Sequence, residues 1–126
     1  MIIGLGVDLA RASRFAKLLA QEKRGVITRV FTPEELAYAL AMKNPAPHLA
    51  ARFAAKEAFL KALGLGMRDG MRWQEIEVVR NALGAPSLRL SGHAKEHAAA
   101  RGVTNIHLSY SHEGDYASAT VILESS

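Results

Sequence analysis

The chain has no cysteine among its 126 residues. That excludes disulfides, thiolate nucleophiles, cysteine-type zinc sites and iron–sulfur clusters together. Aromatic residues make up only 6%, too few for the stacked platforms that hold single-stranded nucleic acid. No apolar run approaches the roughly 18 residues of a membrane span. The opening Met1-Ile2-Ile3-Gly4 has neither the basic start nor the long apolar stretch of a signal peptide. A cytoplasmic protein without a membrane partner is the expectation. Apolar residues are 49%, charged residues 22% and the net charge is +4, a balance that favours a packed core over disorder. Residues 1–126 read as one domain. A domain this small buries less than about 70% of its unfolded surface, so oligomerisation would add to its core.

The positive charge is uneven. Arg11, Arg14, Lys17, Lys23, Arg24 and Arg29 face one acid, Glu22, so this stretch carries +5 and the rest of the chain −1. Such a face is either a solvated helix surface or the footprint of an acidic partner, nucleic acid or protein.

Residues 2–8 read as a short strand and 10–21 as a helix with Phe15, Leu18 and Leu19 on one face. Thr32-Pro33-Glu34-Glu35 combines an N-cap, a first-turn proline and a capping box. That helix should end by Asn44-Pro45, because the residue before proline avoids helical angles. A longer helix is predicted from about His48 to Leu63, stopped by Gly64. The second half then alternates: strands at Trp73–Arg80 and Ser87–Ser91 around an Asn81–Pro86 turn, a short helix from Gly92 to Arg101, and strands near 106–111 and 116–123. The order is one strand, three helices, two strands, a helix and two strands. Short turns between neighbouring strands imply antiparallel pairing, so the class is α+β, an antiparallel sheet packed on helices.

Three places conflict with simple folding logic, and such conflicts tend to mark function. Asp8 ends an apolar strand; it is either a helix cap or a site residue. Lys56 projects within the apolar stripe of Leu49, Phe53, Leu60 and Leu63, with Glu57 and Lys61 at its margin. A Glu57–Lys61 ion pair contributes only about 0.3–0.5 kcal/mol and does not explain Lys56. Lys56 either snorkels along the core edge or binds a ligand. Ser111-His112 closes a strand, but no G-x-S-x-G elbow presents a nucleophile. His93 and His97 lack the H-E-x-x-H context. Gly64-Leu65-Gly66 follows a helix, where the partial charge is negative, so an anion there would need Lys56, Lys61 or Arg68. Together these residues suit phosphoryl-type transfer. Two carboxylates from separate elements can hold a hard cation such as magnesium, with lysines beside it for a diphosphate.

Three blocks resemble the holo-acyl-carrier-protein synthase family, the small bacterial 4′-phosphopantetheinyl transferases. They are Gly4-Leu5-Gly6-Val7-Asp8-Leu9 with Arg14; Arg52-Phe53-Ala54-Ala55-Lys56-Glu57-Ala58-Phe59-Leu60-Lys61-Ala62 with Gly64-Leu65-Gly66; and Leu108-Ser109-Tyr110-Ser111-His112 with Tyr116-Ala117-Ser118-Ala119. The central block is the most specific, and the likeness spans essentially the whole chain. It implies transfer of 4′-phosphopantetheine from coenzyme A to a serine of an apo-acyl carrier protein, releasing adenosine 3′,5′-bisphosphate. By the family pattern Asp8 and Glu57 bind Mg²⁺. Glu57 or a metal-bound water takes the serine proton. Lys56 and Lys61 contact phosphate, with Lys56 assisting the leaving group. His112, beside Ser111, lies near the diphosphate or the 3′-phosphate. Arg52, Gly64 and the turn containing Gly84 and Pro86 hold coenzyme A. Arg14, supported by Lys17 and Arg24, docks the acidic carrier protein. The family also implies a homotrimer with active sites at protomer interfaces.

Two positions depart from the family. Arg11 stands where Glu is frequent, and Ala85 stands in a turn that commonly reads Gly-Lys-Pro, leaving only backbone contacts from that turn. The rival reading is a non-enzymatic, basic nucleic-acid-binding module. It accounts for the basic stretch but not for Lys56 or the carboxylates, and it requires a steep salt dependence of nucleic-acid binding.

Overall fold

The computed structural model describes residues 1–67 and 70–126. Arg68 therefore lies outside the described residues. Strand β1 (Ile2–Arg11) leads into helices α1 (Ala12–Ala20), α2 (Arg24–Val30), α3 (Pro33–Leu40) and α4 (Pro45–Leu63). A 3-10 turn at Trp73–Glu75 precedes β2 (Ile76–Arg80) and β3 (Pro86–Leu90); α5 (Gly92–Ala100), β4 (Asn105–Glu113) and β5 (Tyr116–Glu124) complete the chain. The α+β class and the antiparallel pairing hold: β1, β5 and β4 form a three-stranded sheet with β5 central, and β2 and β3 form a separate hairpin.

The helix α4 is the hub. Its predicted apolar stripe is in fact buried nearly all round, through Ala46, Ala50, Ala51, Ala54, Ala55, Ala58 and Ala62 as well as the larger residues. Small side chains let the helix sit directly on β1. A Cβ at Gly4 would collide with the carbonyl oxygen of Ala62, and one at Gly6 with that of Ala58. The spaced glycines of β1 are thus a contact surface for α4, and this fixes how Asp8, two residues on, meets the helix. At its far end Gly64 adopts φ 76°, and the N–H of Leu65 donates to the carbonyl of Leu60 at 3.0 Å, the predicted helix stop.

Three expectations are corrected. Four helices, not three, precede the hairpin. The short α2 is held by burial of Ile27 and Val30. Asp8 does not cap a helix, because β1 continues to Arg11, paired with Tyr116. The cap function falls to Asp115 in the β4–β5 turn, whose carboxylate accepts from the backbone N–H of Ser13 at 2.7 Å and from its hydroxyl at 2.8 Å. Finally, α4 begins at Pro45, using proline at the first helical position.

The capping box of α3 forms as read, with Thr32 and Glu35 exchanging bonds at 3.2 and 2.8 Å. Glu35 does more than cap. Its Oε1 also accepts from Lys56 Nζ at 2.8 Å, and its Oε2 accepts from the N–H of Val78 at 2.8 Å. Glu77 continues the network, accepting from the Thr32 hydroxyl at 2.6 Å and from Arg89 through both Nε and Nη2. These bonds join α3, α4 and the β2–β3 hairpin around buried charge.

Candidate active site

Asp8 leaves β1 on the face that meets α4, and Glu57 leaves α4 toward it. Both line one cleft of about 420 Å³ with Leu9, Ala10, Arg11, Arg14 and Phe53. Lys61, one turn beyond Glu57, closes the group: its Nζ donates to Asp8 Oδ1 at 2.9 Å and to the Val7 carbonyl at 3.1 Å. The two acids sense each other. Partial burial and the neighbouring Asp8 charge push the Glu57 carboxyl above the ordinary glutamate range, against the opposing pull of Lys61 and Arg14. Arg14 lies with its guanidinium carbon 5.1 Å from the centre of the Phe53 ring. The basic stretch therefore runs up to the acid pair, and Arg11 and Arg14 share its cleft. Lys17 and Arg24 are exposed farther along the same stretch.

A second cluster gathers at the other end of α4. His48 and Arg52 come from α4, Tyr38 from α3, Arg80 from β2 and His112 from β4. The His48 ring lies 5.9 Å from Tyr38 and 6.0 Å from His112. Arg52 is 2% exposed, donates to the His48 carbonyl at 3.3 Å, and leaves its Nε without a partner. Burial and then the charges of Arg52, His112 and Arg80 hold the His48 imidazole below its ordinary value. Ser111 and His112 also line a hollow on the sheet with Leu9, Glu113, Tyr116 and Ser118. Leu9 borders both this hollow and the acid cleft.

The expected phosphate contact from Lys56 is corrected. Its side chain is fully buried, and its ammonium donates to Glu35, to the Trp73 carbonyl at 3.1 Å and to the Ile76 carbonyl at 2.8 Å. All three donors are used, and none is left for a ligand. Burial lowers its pKa, and Glu35 partly restores it. Gly64 ends α4 beside Arg101, three residues past Lys61. Gly84 and Pro86 lie at the tip of the hairpin, where Pro86 pairs with Arg80. Sequence reasoning did not single out Tyr38, His48 or Arg80. Each reads alone as an ordinary surface residue, and only the packing of α3, α4 and β2 joins them.

No helix among the described residues is long and apolar enough to cross a membrane. The described residues also hold no group of three or more histidines or carboxylates suited to a metal. Two carboxylates are nonetheless the protein share usual for magnesium, which keeps water and substrate oxygens as its other ligands.

Comparison with known proteins matches the sequence and the fold to one family. The family model of the 4′-phosphopantetheinyl transferase superfamily covers residues 4–121. A holo-[acyl-carrier-protein] synthase of Syntrophotalea carbinolica is 54% identical over 121 residues, covering 96% of this chain and 94% of that one. The crystal structure of the Neisseria meningitidis synthase superposes with a TM-score of 0.88 at 35% identity, over 98% of this chain and 99% of that one. That of the Bacillus anthracis synthase, in complex with CoA (3′,5′-ADP), superposes with a TM-score of 0.80 at 34% identity, over 100% of this chain and 99% of that one. With its sequence matched over nearly its whole length and its fold shared, the chain belongs to the holo-[acyl-carrier-protein] synthase family of the 4′-phosphopantetheinyl transferases.

Proposed function

We propose that this chain transfers 4′-phosphopantetheine from coenzyme A to a serine hydroxyl of an apo-acyl carrier protein, with magnesium, in the cytoplasm. The observation that carries the reading is the meeting of Asp8 and Glu57 in one cleft lined by Arg14. The donor set is all oxygen and suits a hard cation, and Glu57 is ionised reluctantly because it is partly buried and a second acid stands beside it. Asp8 and Glu57 would hold Mg²⁺, and the bound ion would supply positive charge against the charge developing on the diphosphate. Lys61 is exposed enough to exchange its bond to Asp8 for one to a phosphate oxygen.

The serine oxygen bonds to the phosphorus carrying the pantetheine arm. The bond from that phosphorus to the bridging oxygen of the diphosphate breaks, and adenosine 3′,5′-bisphosphate leaves. Glu57, or a water held at the same site, would take the serine proton. His112, Ser111, Arg52 and the hairpin tip at Gly84 and Pro86 hold the nucleotide end. Incubating apo-acyl carrier protein with the enzyme, coenzyme A and Mg²⁺ should raise the carrier's mass by one phosphopantetheine. An unchanged mass contradicts the proposal.

The acid and basic centres work together through assembly as a homotrimer. On β1, Leu5, Val7 and Leu9 are 65%, 56% and 61% exposed and point away from α4. An apolar ladder on a sheet face is the usual mark of a protein interface. A second copy laid there would cover the ladder. Light scattering should give three times the 13.6 kDa chain mass. Val7→Glu should shift the protein to single chains and remove transfer; an assembled Val7→Glu protein contradicts this interface.

Docking uses Arg14, Lys17 and Arg24. Since Arg14 also touches the cleft, Lys17→Glu is the cleaner test. It should slow capture of the acidic carrier by about 3–10-fold, with the difference shrinking as salt rises. The KM for coenzyme A should stay unchanged; an equal rise in that KM contradicts the docking role.

A further inference from the structure

Helix α2 has little of its own to keep it helical. It is seven residues long, and no side chain caps its N-terminus. Its sequence holds one glycine and the β-branched residues Val26, Ile27, Thr28 and Val30, all poor helix formers. A helix this short does not persist without tertiary support. Ile27 and Val30 are buried, whereas Arg24, Val26 and Arg29 are exposed. The outer face of α2 thus presents two guanidinium groups around an apolar side chain.

The last carbonyls of a helix lack partners within it. For α2 the donor comes from far along the chain. Gln74 Nε2 donates to the Thr28 carbonyl at 2.6 Å and to the Phe31 carbonyl at 2.9 Å. Gln74 is itself fixed from the other side, in the 3-10 turn at Trp73–Glu75. The buried Lys56 ammonium of α4 binds the Trp73 carbonyl just before it and the Ile76 carbonyl two residues after it. Hydrogen bonds therefore run from α4, which carries Glu57, through the turn to the end of α2.

We infer that Gln74 is a positioning residue for carrier docking: its amide holds α2 so that Arg24, and with it Arg29, meets the acidic carrier in one orientation. The inference rests on the docking reading above and adds Arg29 to that face. Gln74 acts through α2 and touches no reacting group. Charges across an interface fix register only where they are held in place, and a loose α2 would have to be ordered at each encounter, at a cost to binding.

Steady-state kinetics with the carrier and coenzyme A varied separately tests this. Gln74→Met keeps the length of the side chain and removes its donor. It should raise the KM for the carrier by about 5–10-fold, with kcat and the KM for coenzyme A within about twofold of wild type. In a protein already carrying Arg24→Ala and Arg29→Ala, the same change should add less than about twofold, because residues acting through one another are not additive. Gln74 is only half-buried. Amide hydrogen exchange should therefore quicken over residues 27–31 and stay slow in the β1–β5–β4 sheet. An unchanged carrier KM, an equal rise in the KM for coenzyme A, full additivity with the arginine changes, or faster exchange throughout the sheet overturns the inference and leaves the docking reading intact. A carrier KM unmoved by Arg24→Ala with Arg29→Ala overturns the docking role of α2 and the inference with it.

Discussion

Asp8→Asn and Glu57→Gln should each lower phosphopantetheine transfer by about 10²–10³-fold, the range seen when one preorganised charge-stabilising group is removed. Both changes keep the shape of the side chain and remove its charge. Asp8 is only partly buried, and the one bond it accepts from Lys61 comes from an exposed ammonium, so the fold should tolerate its loss. In Glu57→Gln the repulsion between two acids disappears as well, so this variant should be as stable as the wild type or more so. Loss of activity with stability kept is the signature of a site built for a cation. Wild-type activity in either variant, measured at saturating Mg²⁺, would remove that residue from the cation site.

The opposite pattern is expected at Lys56. Lys56→Met should destabilise the protein by about 3–5 kcal/mol, because it leaves Glu35 as a buried charge without its partner. Glu35 would still accept from Thr32 and Val78, but the carbonyls of Trp73 and Ile76 would lose their donor. Those two carbonyls flank the start of β2, so the hairpin should loosen first. Adding Glu35→Gln should recover part of the loss, since the buried charge is then gone. Chemical denaturation at one fixed protein concentration reads both effects. A Lys56→Met protein as stable as the wild type but inactive would instead restore Lys56 to the phosphate-contacting group.

Much of this was legible in the residues. The capping box at Thr32 and Glu35 and the stop at Gly64 depend on local chemistry, and both form where they were read. The alternation of β4 and β5 is equally local. Helix α2 was not legible because Gly25, Val26, Ile27 and Thr28 are poor helix formers, and it is held by the burial of Ile27 and Val30 and by Gln74, which donates to the carbonyls of Thr28 and Phe31. The end of β1 was misplaced for a related reason: pairing with β5 carries the strand past Asp8 to Arg11, and pairing across the chain has no local signal.

The site shows the same division. Lys56 was legible as a misfit in an apolar stripe, but its partner was not. Glu35 lies 21 residues away and already had a complete explanation as a capping residue. Asp8, Glu57 and Lys61 stood out by type and motif, and the glycines at 4 and 6 explain why they meet, since only a bare backbone lets α4 come so close to β1. Arg80, Tyr38 and His48 had no signal at all; they meet only because β2, α3 and α4 pack together.

Electron paramagnetic resonance of Mn²⁺, in place of Mg²⁺, with coenzyme A present addresses the cation site without passing through activity. The wild-type protein should bind one ion per chain, and Asp8→Asn and Glu57→Gln should each lose it. Undiminished Mn²⁺ binding in a folded protein carrying both substitutions would show that these two carboxylates do not hold the metal.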